Sequence, residues 1–177
     1  MNLIKIITIV TLLTVLVSCS ETKSDYKVVS EVPNLTMPEN NLKFKEIEDY
    51  KNYRIIATHF RTDKNELRYI LANNIAFKAY NESSPFPNGS KIVKIGWDTE
   101  KMSNFSPAIE AKDVQRIEYM IKDDKQFSEN PGNWGYARFV QKDGKYKSWD
   151  KGTANCISCH NLAKADDFIF TKFQKLQ

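Results

Sequence analysis

Two cysteines and a histidine stand within five residues near one end of this chain, in the run Cys156-Ile157-Ser158-Cys159-His160. Thiols separated by two residues reach the same side of one turn of chain, and the imidazole follows directly. Three chemistries use such a set. A tetrahedral zinc site needs four nitrogen or sulfur ligands, and besides these three the sequence offers His59. A redox-active cysteine pair opens a helix after a strand in a βαβ setting, a pattern this chain lacks. Covalent attachment of haem uses both thiols, one on each of two neighbouring vinyl groups, and places the adjacent histidine to bind iron. The spacing Cys-x-x-Cys-His is the signature of the third, so haem c is the expected cofactor, with Cys156, Cys159 and His160 as its ligands.

The other end bears on the compartment. Lys5 precedes an apolar run from Ile6 to Val17, and Leu16-Val17-Ser18-Cys19 has the form of a bacterial lipoprotein processing site. The run is shorter than the roughly 20 residues that span a bilayer. Residues 1–18 are therefore expected to be a signal peptide and Cys19 the lipidated residue; an uncleaved anchor and an ordinary secretory signal are the alternatives. Ser20, where an inner-membrane retention signal would place aspartate, favours the outer membrane. With Cys19 assigned to lipid, the chain's three cysteines leave Cys156 and Cys159 as a pair, which in an oxidising compartment would otherwise form a disulfide. The formal net charge of +4 falls to three without Lys5, and the basic residues are scattered rather than gathered into a stripe, which argues against a nucleic-acid partner.

Elements must position this chemistry. At 177 residues the chain supports one domain with a core. Residues 19–42 are polar and aperiodic and read as a flexible tether, leaving 43–177 as the folded domain. A short helix after Phe44 is expected to lead into a strand at Tyr53–Thr58. Asp63 and Glu66 stand in capping-box spacing, and Leu67, Ile70, Leu71 and Ile75 recur at helical intervals, which predicts a helix ending near Tyr80. Alternation then predicts strands at 91–97, 114–122, 134–141 and 145–149, the last two joined by a tight turn at Lys142-Asp143-Gly144. The fold class is α+β: a mainly antiparallel, sandwich-like β-sheet with flanking helices and a C-terminal haem motif. Candidates for a sixth iron ligand are His59, Met37, Met102 and Met120, none singled out by its surroundings.

Several segments in order, YRIIATHFRTDKNELRYILANNIAFKAY, PFPNGSKIVKIGWD, IEYMIKD, NWGYARFV and CISCH, resemble the cytochrome P-460 family over roughly residues 50 to 160. The resemblance implies a monohaem c protein of largely β fold. Some members oxidise hydroxylamine or act on nitric oxide at a five-coordinate iron, with a lysine joined to the porphyrin edge. The related cytochrome c′-beta branch lacks that crosslink, caps the distal face with phenylalanine, and binds nitric oxide or carbon monoxide.

The crosslinking lysine would correspond to Lys91 or Lys94. These point to opposite faces of a strand, and Lys94, beside Gly96 where a flat macrocycle could approach the backbone, is preferred. The resemblance suggests an acidic proton acceptor on the next strand, where Glu118 shares a face with Arg116 and Met120. Arg68 and Arg138 are candidate partners for haem propionates. Phe77, Phe86, Phe105, Phe127 and Phe139 are candidate distal caps, and Trp97 and Trp134 read as packing residues. The expectation is redox conversion of hydroxylamine or nitric oxide. The alternatives are a non-catalytic gas-binding protein and an electron carrier. A redox partner protein, membrane contact through the lipid and a homodimer complete the expected partners.

Overall fold

The computed structural model describes residues 33–83 and 85–174. The expected signal peptide, Cys19 and residues 19–32 of the tether lie outside the described residues. Six antiparallel strands form one sheet in sequence order: β1 (Arg54–Arg61), β2 (Glu66–Ala72), β3 (Lys91–Lys101), β4 (Ile109–Lys122), β5 (Trp134–Lys142) and β6 (Lys145–Ser148). Among the described residues two α-helices accompany them, α1 (Asn74–Glu82) and α2 (Ala154–His160), with short 3₁₀ turns elsewhere in the chain. The α+β, mainly antiparallel class expected from the sequence is the observed one. Among the described residues, chain segments rather than a second sheet supply the layers that cover its two faces. Among the described residues no helix is long and apolar enough to cross a membrane.

Both faces of the sheet are covered, and the strand pleat sorts the side chains between them. On one face Leu71, Val93, Ile95, Ile117, Tyr119 and Phe139 pack against Met37, Leu42, Phe44 and Ile47. Residues 33–42, assigned above to the tether, therefore belong in part to the packed domain: Met37 and Leu42 are 1% and 2% exposed. Leu35, Met37 and Leu42, three apolar residues among prolines and polar residues, make no sustained period, which is why burial there was not legible. On the other face Ile56, Ile70, Ala72, Ile92, Met120, Trp134 and Tyr136 pack against α1 and the chain around Phe168 and Ile169.

The expected helix from Asp63 to Tyr80 is corrected. Its first half is strand β2, and only Asn74–Glu82 is helical. Leu71 and Ile70 face opposite layers, so a strand covered on both sides shows a continuous apolar run in place of alternation and mimics a helical interval. The helix start is Asn73, whose side-chain oxygen accepts from the Ala76 and Lys91 backbone N–H groups. Asp63 instead pairs with Arg61 in the β1–β2 turn, and Glu66 opens β2 in a buried position. The expected β5–β6 turn is present: Lys142 pairs with Lys145, and Asp143 and Gly144 take φ values of 52° and 72°, as a two-residue hairpin loop requires.

Candidate functional site

Sheet register gathers charge into a row. Ile70, Lys94, Glu118 and Arg138 lie directly opposite one another across β2, β3, β4 and β5. Opposite charges at facing positions attract, and here Lys94 Nζ lies 2.5 Å from Glu118 Oε2 while Arg138 Nε lies 3.2 Å from Glu118 Oε1. Arg116, two residues from Glu118 and so on the same face, brings its Nε to 3.5 Å from Oε2. Its other end pairs with Glu66, which Arg68 also holds. The Arg138 guanidinium lies 4.2 Å from the Trp149 ring centroid, a cation–π contact that fixes its plane. Burial pushes the Glu118 carboxyl up, but the charges of Lys94 and Arg138, the hydrogen bond from Lys94 and the charge of Arg116 outweigh it and hold the group below the usual carboxylate range.

This row forms one wall of a cavity of about 390 Å³, within the roughly 300–1,000 Å³ typical of cofactor sites. Cys156, Cys159 and His160 on α2 also line it, with Tyr136, Ile169 and Phe170. Both thiols are unpaired, Cys156 half-buried and Cys159 exposed. Burial first, then the Glu118 charge, pushes the Cys156 thiol up against the opposing pull of Arg138 and Lys94. A redox-active pair wants the reverse, a lowered thiol. Among the described residues no group of three or more His, Cys, Asp or Glu side chains is arranged to hold a metal ion.

His160 Nδ1 lies 2.6 Å from the Phe168 carbonyl oxygen. A carbonyl only accepts, so Nδ1 carries the proton and Nε2 keeps a free lone pair, the tautomer a metal ligand needs. Burial lowers the imidazole's proton affinity against the opposing effect of that hydrogen bond, which favours the neutral form. Tyr136 and Phe170 flank the ring at centroid distances of 4.9 and 5.3 Å.

The residues nominated from the sequence divide clearly. Lys94, Glu118, Arg138, Arg68, Cys156, Cys159 and His160 all line this cavity. So do His59 and Met120 among the candidate sixth ligands, whereas Met37 is in the core beneath the opposite face and Met102 lies in the β3–β4 turn region. Lys91 instead donates to the Glu46 carbonyl, 2.5 Å away. None of the five nominated phenylalanines lines the cavity: Phe127 and Phe139 are buried in the core, Phe77 packs on Phe173, Phe86 on Tyr80, and Phe105 is 60% exposed. Phe170, which was not nominated, does. Trp134 is buried packing as expected, and Trp97 packs on Tyr69. The space over Gly96 is not open to a macrocycle: a Cβ there would meet the Glu66 carboxylate carbon at 3.3 Å and Arg116 Cγ at 3.6 Å. Glu66, Tyr136 and Trp149 were missed. For Tyr136 the signal was present, since it alternates with Trp134 and Arg138 along β5.

The residues suit a haem. Lys94, Arg116 and Arg138 set three cationic side chains around Glu118 on the cavity wall, a lining able to meet the carboxylates of a haem. An imidazole with a free Nε2 and two unpaired thiols stand on the same cavity's rim. Sheet and cavity together have the character of a haem-binding β-sheet protein. The chain belongs to the cytochrome P460 family, whose model matches residues 47–171. Haem is the cofactor which that membership implies. No curated protein sequence matches the chain.

Proposed function

We propose that this protein is an exported monohaem c-type cytochrome, lipid-anchored through Cys19, that carries out redox conversion of hydroxylamine or nitric oxide. Cys156 and Cys159 would hold the haem covalently and His160 Nε2 would ligate its iron. The observation that carries the catalytic reading is the Lys94–Glu118–Arg138 row facing the same cavity as the thiols and His160. When bound there, the haem would supply electron exchange with a nitrogen substrate. Everything else is done by the chain. Glu118, the carboxylate that lines this cavity, is the group placed to accept protons as electrons leave; its three cationic neighbours keep it ionised and hold its proton affinity below that of an ordinary carboxylate. Arg138, stacked on Trp149, and Arg116 hold the carboxylate in place. Lys94, which lines the cavity where Lys91 does not, is the lysine we assign to the crosslink of the catalytic members that the family resemblance implies. Export and lipidation rest on the N-terminal sequence pattern alone.

The test is the ferrous absorption spectrum of the matured protein together with hydroxylamine turnover. The expected result is a ferrous band displaced to the red, lost in Lys94→Arg. In Glu118→Gln, turnover should fall by about 10²- to 10⁴-fold, the usual range for loss of a proton-transfer group, with haem content unchanged. A plain high-spin spectrum without turnover would replace this reading with gas binding. A second reading has its own support, because His59 and Met120 line the cavity: a sharp low-spin spectrum would make the protein an electron carrier with one of them as sixth ligand.

A further inference from the structure

The carbonyl that accepts the His160 proton belongs to an unusual turn. Asp167 and Phe168 are consecutive non-glycine residues with φ values of 52° and 65°. L side chains rarely adopt this left-handed conformation, and two in succession persist only where the surroundings enforce it.

Three separate parts of the chain converge to enforce it. Lys122, at the end of β4, places Nζ 2.6 Å from Asp167 Oδ2, with side chains 15% and 23% exposed. Trp134, the first residue of β5 and fully buried, directs its indole N–H at Asp167, 3.1 Å from the carbonyl oxygen and 3.3 Å from Oδ1. The Phe86 backbone N–H lies 3.3 Å from Oδ2. Gly132 completes the seat: a Cβ there would fall 2.4 Å from Phe168 Cδ2, so only glycine leaves room for that ring. Neither Asp167 nor these partners of its carboxylate line the cavity, while the next peptide presents its carbonyl to Nδ1 at 2.6 Å.

We infer that Asp167, clamped by Lys122 and Trp134, is a positioning residue for the proximal ligand: it fixes the Asp167–Phe168 turn, and through the Phe168 carbonyl sets the orientation and donor strength of His160 Nε2. A short hydrogen bond at Nδ1 gives the ring more anionic character, which strengthens its bond to iron and favours the ferric state. The effect is transmitted by geometry, since Asp167 reaches His160 only through the backbone.

The inference rests on His160 being the iron ligand. Its test uses the haem-loaded protein, with the ferrous iron–histidine stretching vibration and the reduction potential as readouts. Asp167→Ala removes both the anchors and the tolerance for positive φ; its stretch should move to lower frequency and its potential should rise. Asp167→Asn, which keeps an acceptor for Trp134 and favours the left-handed conformation, should return both readouts most of the way to the parent's. Lys122→Met, remote from the cavity wall, should move both in the same direction as Asp167→Ala. It also decides the matter should Asp167→Ala fail to fold. Loaded variants with the parent's stretch and potential would overturn the clamp and leave the proposed function standing. A parent protein that acquires no haem, or one whose haem is unaffected by His160→Ala, would overturn the proposed function and the clamp together.

Discussion

Glu66→Gln is the most informative single perturbation of the frame behind the cavity. Glu66 is 1% exposed and is paired with both Arg68 and Arg116. Gln matches its shape but leaves two guanidinium groups, with side chains 15% and 9% exposed, without their shared counter-charge. Removing one partner from a buried ion pair costs about 3–5 kcal/mol. Gln retains one acceptor and Arg116 keeps Glu118, so the lower end applies, about 3 kcal/mol. For a packed unit spanning residues 31–177, that corresponds to a fall in Tm of roughly 6–12 °C.

The pH dependence of that loss has a definite sign. Burial pushes the Glu66 carboxyl up, but the Arg68 hydrogen bond and the Arg116 and Arg68 charges prevail and hold it below its ordinary value. A carboxyl depressed in the folded state contributes stability that is present above the unfolded pKa, about 4.3, and that disappears as pH falls through the folded value. The gap between parent and variant should therefore be full at pH 7 and narrow below about pH 4. Urea unfolding of both proteins across that range measures it. A variant as stable as the parent at neutral pH, or a gap that persists undiminished into acid, would refute the reasoning.

Three further outcomes follow from the packing. Glu39 Oε2 accepts from the Thr153 N–H at 2.5 Å and from its hydroxyl at 2.9 Å, so Glu39→Ala should cost about 1 kcal/mol in thermal unfolding, as loss of a helix cap does. Gly135→Ala would set a Cβ 2.3 Å from the buried Phe127 ring, an overpacking that costs about 1–3 kcal/mol; the double variant with Phe127→Leu should recover part of it in the same denaturation assay. Trp149→Leu removes the surface on which Arg138 stacks, and should depress hydroxylamine turnover without lowering haem content.

What could be read from the sequence follows from the periods involved. Lys94 and Glu118 were nominated because the family resemblance implies a lysine and then a carboxylate on successive strands, and Arg138 as a cation able to meet a propionate; strand alternation served only to choose the face. Alternation orients a residue but does not align neighbouring strands; the register that sets the three opposite one another is a tertiary property. Strand β2 was misread because its two faces are both covered, and Glu66 went with it, taken for a cap when it is a buried anchor. The residues that position His160 were illegible for a different reason. Asp167, Lys122 and Trp134 are 33 or more positions apart from the turn to its anchors, and nothing local marks a left-handed Asp-Phe pair. The Cys-x-x-Cys-His run was legible because its chemistry is carried by spacing within one helical turn.

The central claim is that Cys156 and Cys159 hold one haem ligated by His160. The most direct measurement is the intact mass of denatured, solvent-extracted protein produced with haem-maturation machinery, beside the Cys156→Ala, Cys159→Ala double variant. The parent should carry the mass of one haem through extraction and the double variant none. A parent that emerges at the mass of the bare polypeptide would contradict the claim.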